Sequence, residues 1–201
     1  MPDPNDIVFE AAAFAARAHR HQLRKDGQTP YVSHTFQVCL VVRHVFGFDD
    51  PKMLAAALLH DTIEDTATDC DDIIERFGPD VARWVAALTK DMRLPNDERE
   101  AAYCRTLASA DWQVKVCKLA DIYDNLGDCR HFPPAGRRKT AQKPRMYLDA
   151  IRPNLPAASG RVGTAHHPGE DGGQCPPYDQ IREAFRLTEA RLAELESGLT
   201  S

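Results

Sequence analysis

The chain has 201 residues, is 43% hydrophobic and 27% charged, and carries a net charge of −5. That length makes one domain, or one domain with a small appendage, and can bury a core without disulfide or metal staples. The acidic balance excludes a general nucleic-acid binder, which needs a basic face. No apolar run approaches the roughly 20 residues that span a bilayer, and Met1-Pro-Asp-Pro-Asn-Asp6 lacks the basic start and apolar stretch of a signal peptide. Cys39, Cys70, Cys104, Cys117, Cys129 and Cys175 are scattered, with no C-x-x-C spacing, as for reduced thiols in a cytoplasm.

The periodicity is helical almost throughout, so the expected fold is mainly α. Asn5 or Asp6 caps a first helix reaching about Leu23, with Ile7, Phe14 and Ala18 inward. A polar loop follows over 24–32. Ser33 is the candidate cap of a second helix that ends near Phe46, with Gly47 at its C-terminal turn. Asp49 or Asp50, with Pro51 in the first turn, starts a third helix that runs to about His60. Asp71 opens a short helix ending at Phe77-Gly78, and Pro79 opens the next, to about Leu88. Further helices are expected over 97–109 and 112–126. Residues 131–145 are basic and broken by Pro133, Pro134 and Pro144, with a helix only from about Arg145 to Ile151.

The expected organisation is a domain over 1–152, a Pro/Gly-rich linker over 153–178 and a C-terminal amphipathic helix over 179–197. The apolar stripe of that last helix, Ile181, Phe185, Leu192 and Leu195, must pack on the domain or on a second copy in a homodimer. The sequence does not choose between them.

Chemistry concentrates at His60-Asp61, which closes the apolar run Met53-Leu-Ala-Ala-Ala-Leu-Leu59. An imidazole and a carboxylate are costly to desolvate there unless they share a partner, and a divalent metal is the strongest partner for both. His34 and Asp121 are the other candidate ligands. Two His and two Asp make a mixed N/O set suited to Mn²⁺, Fe²⁺, Zn²⁺ or Co²⁺. Each feature has a plainer alternative. Asp121 can pair with Lys118 on its own helix, Glu64-Asp65-Thr66 can be an acidic loop, and Arg24-Lys25 can be solvated surface.

Three strings stand in order: Arg24-Lys-Asp-Gly27 leading to Thr29-Pro-Tyr-Val-Ser-His34, then Leu58-Leu-His-Asp-Thr-Ile-Glu-Asp-Thr66, then Val116-Cys-Lys-Leu-Ala-Asp-Ile-Tyr-Asp-Asn-Leu126. Together they resemble the hydrolase half of the RelA/SpoT homologues, within the HD phosphohydrolase superfamily. The single-domain small alarmone hydrolases match best, over roughly residues 5–150. The resemblance implies a compact multi-helix HD-domain phosphohydrolase fold. It implies one Mn²⁺ per chain on His34, His60, Asp61 and Asp121, with Glu64 and Asp65 as the acid/base pair. It also implies Arg24 stacked on a guanine base, Lys25 near the phosphates and Asn125 on the nucleotide. Tyr147 is a further candidate contact, or simply core. The implied reaction removes the 3′-pyrophosphate of ppGpp or pppGpp, and the synthetase half of the longer relatives is not expected.

Two departures bear on substrate binding. Ile122 stands where the family often has a basic residue, and Asp124-Asn-Leu-Gly127 where many members read Tyr-Asn-Leu-Arg. The readings left open are an HD phosphohydrolase of another phosphorylated nucleotide and a silent nucleotide-binding HD module.

Overall fold

The computed structural model describes residues 5–129, 134–152 and 177–197. Among these residues the chain is built from α-helices, as expected, and the one β-type pairing is an isolated bridge between Leu23 and Pro30. The expected linker lies almost wholly outside the described residues.

Helix α1 (Asp6–Ala18) buries Ala11 and Ala15. It stops earlier than its apolar pattern suggests, because His19 turns inward. The His19 ring packs against Tyr31 with centroids 5.0 Å apart, and its Nδ1 lies 2.7 Å from Gln22 Oε1. The following loop folds back on itself: Arg24 N–H donates to the Thr29 carbonyl and Tyr31 N–H to the Gln22 carbonyl. Asp26 clamps this loop by accepting from the Gln28 and Thr29 amides and the Thr29 hydroxyl. Gly27 supplies the positive φ of 70° that the turn requires.

Helix α2 (Val32–Leu40) begins one residue before the expected cap, so Ser33 lies inside the first turn. It continues as a π-helical segment over Val41–Val45, and Gly47 at φ 77° ends it. Helix α3 (Pro51–Leu59) is capped as anticipated, with Asp50 accepting from the Lys52 and Met53 amides. Every residue from Met53 to Leu59 is buried. Helices α1, α2, α5 and α7 all pack against α3, so the run that ends in His60-Asp61 is the axis of the fold. A single turn, α4 (Thr62–Asp65), follows.

Helix α5 (Cys70–Leu88) starts from a reciprocal cap between Asp69 and Asp72, so the cap precedes the expected Asp71. It breaks where Gly78 takes φ 81° ahead of Pro79. Helices α6 (Asn96–Ser109) and α7 (Trp112–Asp128) follow. Of the broken basic segment expected over 131–145, residues 131–133 lie outside the described residues, and the rest is corrected by α8, which spans Pro134–Ile151 with Pro144 inside it. Pro144 forfeits one backbone donor, but tertiary contacts hold the helix. Lys143 and Tyr147 both bond to Glu100 of α6, and Leu148 and Ile151 are buried. Helix α9 (Tyr178–Ser197) lays Ile181, Phe185, Leu192 and Leu195 against α7 and α8 of its own domain.

Candidate metal centre

Three elements deliver the polar cluster to one point. His34 comes from α2, His60 and Asp61 from the end of α3, and Asp121 from α7. His34 Nε2 lies 3.1 Å from Asp121 Oδ1 and 3.7 Å from Asp61 Oδ2. His60 Nε2 lies 2.9 Å from Asp61 Oδ2 and 3.9 Å from Asp121 Oδ1. His34, His60 and Asp121 are buried and Asp61 is partly exposed.

The outward side of each group is held. His60 Nδ1 is 2.9 Å from the Ala57 carbonyl, which can only accept, so Nδ1 carries the proton. His34 Nδ1 is 2.7 Å from Asp124 Oδ2 and donates to it in the same way. Both imidazoles therefore aim Nε2 at the cluster, the arrangement in which histidines bind metals. Tyr31 donates to Asp61 at 2.5 Å. Asp121 accepts from Lys118 at 2.7 Å and from Asn125 at 2.6 Å. The Lys118 ammonium sits between the rings of Tyr103 and Tyr147, 5.3 Å and 4.6 Å from their centroids.

These electrostatics fit a cation. Buried His60 Nε2 finds no hydrogen-bond partner although a carboxylate oxygen is close by. Two lone-pair donors at that distance repel unless a positive charge stands between them. Without a metal, protons take that place. Burial, the largest influence, disfavours charge on His34, but hydrogen bonds to Asp121 and Asp124 outweigh it and raise its pKa to about 9. Burial likewise opposes charge on His60, and Asp61 raises its pKa nonetheless. Burial pushes the Asp121 carboxyl up, and Lys118 and the two imidazoles pull it well below its usual range. His34, His60 and Asp121 each offer one ligand atom, all within 4.8 Å of one another, a mixed N/O set that could hold a divalent metal.

The remaining expected residues surround this cluster. Glu64 accepts from Lys90 through its backbone amide at 2.9 Å and its ammonium at 3.4 Å. Asp65 keeps part of its surface in water, and partial desolvation by its neighbours together with the charges of Asp61 and Glu64 raises its pKa. Arg24 is paired with Asp128 and lies 3.7 Å from Asp124, with Lys25 exposed next to it in sequence. Asn125 contacts the cluster through Asp121. Tyr147 is buried, and its hydroxyl donates to Glu100 at 2.5 Å, so it meets the site through Lys118. The sequence reading missed Tyr31, Asp124 and Lys90 as partners of the site. Tyr31 and Asp124 each stand one helical turn from a candidate ligand, His34 and Asp121, which was the available signal.

A profile of the HD domain matches residues 11–146. The chain belongs to the HD-domain family. This HD domain is 42% identical over 130 residues to the human guanosine-3′,5′-bis(diphosphate) 3′-pyrophosphohydrolase MESH1, covering 64% of this chain and 73% of that one. It is 36% identical over 145 residues to the Aquifex aeolicus guanosine-3′,5′-bis(diphosphate) 3′-pyrophosphohydrolase, covering 71% of this chain but 20% of that longer one. It also matches the solved structure of a metazoan ortholog of SpoT that hydrolyzes ppGpp. The TM-score is 0.69 at 29% identity, over 92% of this chain and 97% of that one.

Proposed function

We propose that this HD domain is a Mn²⁺-dependent hydrolase that removes the 3′-pyrophosphate from ppGpp and pppGpp, leaving GDP or GTP. The observation that carries the reading is the convergence of His34, His60, Asp61 and Asp121 with both Nε2 atoms turned inward, in a chain that spans most of the MESH1 hydrolases. Those four residues would hold the ion. When bound, a divalent ion lowers the pKa of a coordinated water and neutralises phosphate charge.

The chain's own groups supply the rest. Water adds to the phosphorus on the 3′ oxygen, that P–O bond breaks, and the 3′ oxygen must gain a proton. Asp65, with its raised pKa, is the group placed to carry a proton, and Glu64, oriented by Lys90, is its partner. Arg24, held by Asp124 and Asp128, would present its planar guanidinium to a guanine base. Lys25 serves the phosphates, Asn125 links Asp121 to the nucleotide, and Tyr147 supports Lys118 from behind.

One observation favours the second reading, another phosphorylated nucleotide as substrate. Ile122 and Gly127 leave this stretch of α7 without the basic residues that relatives often carry, and Asp124 adds a carboxylate close to Arg24. Turnover of ppGpp and a panel of other nucleotides, with and without Mn²⁺, tests both. Mn²⁺-dependent release of pyrophosphate from ppGpp is the expected result. Preference for another nucleotide selects the second reading, and no turnover of any selects a silent binding module. The five described cysteines are free thiols, which fits a reducing cytoplasm.

A further inference from the structure

Asp124 is neither a candidate metal ligand nor one of the residues expected to touch the nucleotide. It lies on α7 one turn beyond Asp121 and has a side chain only 12% exposed. One oxygen, Oδ2, serves two groups: it accepts from His34 Nδ1 at 2.7 Å and stands 3.7 Å from the Arg24 guanidinium. Arg24 is itself anchored on Asp128. The result is a continuous polar chain, Asp128–Arg24–Asp124–His34, running from the loop that follows α1 to the centre of the cluster. None of its members lies on α4, where the proposed acid/base pair sits.

We infer that Asp124 is a positioning residue that couples the nucleotide-side arginine to the metal-side histidine, so that what happens at Arg24 changes how strongly His34 binds a metal. The coupling is physical. A carboxylate that accepts from Nδ1–H fixes the imidazole tautomer and increases electron density at Nε2. A guanidinium near the same oxygen draws part of that density away. A nucleobase that engages Arg24 alters its hold on Asp124, and the change reaches His34. By linkage, metal at His34 alters Arg24 in return. This inference rests on His34 being a metal ligand, as proposed above, but not on the identity of the nucleotide.

The test is a double-mutant cycle read by Mn²⁺ alone, titrated calorimetrically into the metal-stripped full-length chain. Asp124→Asn keeps the shape and removes the charge, and is expected to weaken Mn²⁺ binding about 10–100-fold. Arg24→Ala is expected to tighten it several-fold while Asp124 is present. In the Asp124→Asn background the same Arg24→Ala change should move the affinity by no more than about twofold, the margin of additivity for independent sites. Asp124→Glu, which restores a carboxylate, should recover part of the loss. Effects that simply add, or Asp124→Asn binding Mn²⁺ like the unaltered chain, would overturn the inference. If Asp124→Asn does not fold, unchanged Mn²⁺ affinity in Arg24→Ala alone overturns it. No Mn²⁺ binding by the unaltered chain would overturn both this and the metal assignment. Failure to hydrolyse ppGpp would leave this reading of metal affinity intact.

Discussion

Lys118 and Asp121 show how one pair can serve both fold and site. The ammonium is buried between two tyrosine rings and, with the two imidazoles, lets Asp121 stay ionised in the interior. Lys118→Met removes it and leaves the carboxylate without its ammonium partner, a loss of up to about 3–5 kcal/mol for a broken buried pair. Added Mn²⁺ should restore part of the melting temperature, because the ion supplies the missing charge. Melting curves with and without Mn²⁺ check this, and a Tm deficit that ignores Mn²⁺ would count against Asp121 as a ligand. The roles of the other carboxylates separate in the same way. Glu64→Gln and Asp65→Asn should lower turnover by about 10²–10⁴-fold while metal content stays near one per chain. Asp61→Ala should lose metal and turnover together. Metal analysis alongside kinetics distinguishes them, and near-normal turnover in the Glu64-Asp65 double variant would show the acid/base assignment to be wrong.

At the scale of elements, α9 and α7 explain each other. Ile181, Phe185, Leu192 and Leu195 are buried against α7 and α8, so the stripe that could have served a second copy is used within the chain. The Arg191 guanidinium lies over the Tyr123 ring at 4.0 Å and fills the space that a side chain at Gly127 would need. Gly127, read from the sequence as a departure on the nucleotide side, is thus a packing position under α9. Gly127→Arg would put two guanidinium groups in one place and should cost about 1–3 kcal/mol by overpacking, measured by denaturant unfolding. Truncation before Tyr178 should lower Tm yet preserve Mn²⁺ binding, because α9 contributes no residue to the cluster. A truncated chain that binds no metal would show that α9 also shapes the site.

For the molecule as a whole, Glu100 ties α6 to α8 through Lys143 at 2.6 Å and Tyr147 at 2.5 Å. Burial raises the Glu100 pKa, but these two hydrogen bonds outweigh it, and the folded value lies below the ordinary 4.5. A depressed acid pKa stabilises the fold fully above the unfolded value. That contribution is lost as pH falls through the folded one. Stability should therefore decline below about pH 4.5, and Glu100→Gln should flatten that part of the acid limb while lowering stability at pH 7. Urea unfolding at several pH values measures both effects. No helix among the described residues is long and apolar enough to cross a membrane.

Much of this arrangement was legible in the chain itself. Asp50 with Pro51 caps α3, Gly78 with Pro79 breaks α5, and the Met53–Leu59 run is core, because caps, breakers and apolar periods act within a few residues of one another. His60, Asp61 and Asp121 stood out because polar groups at apolar helix positions need a shared partner, and His34 joined them through the family resemblance. Tertiary structure decided the rest. Pro134–Ile151 is helical because α6 and α9 hold it, against a local pattern rich in proline and charge. Asp124, Tyr31 and Lys90 became partners of the site only when α2, α4 and α7 met. α9 found its seat the same way. Periodicity reveals which face of a helix is apolar, whereas the neighbour that covers it, and the polar groups brought along its edge, depend on contacts between residues far apart in the chain.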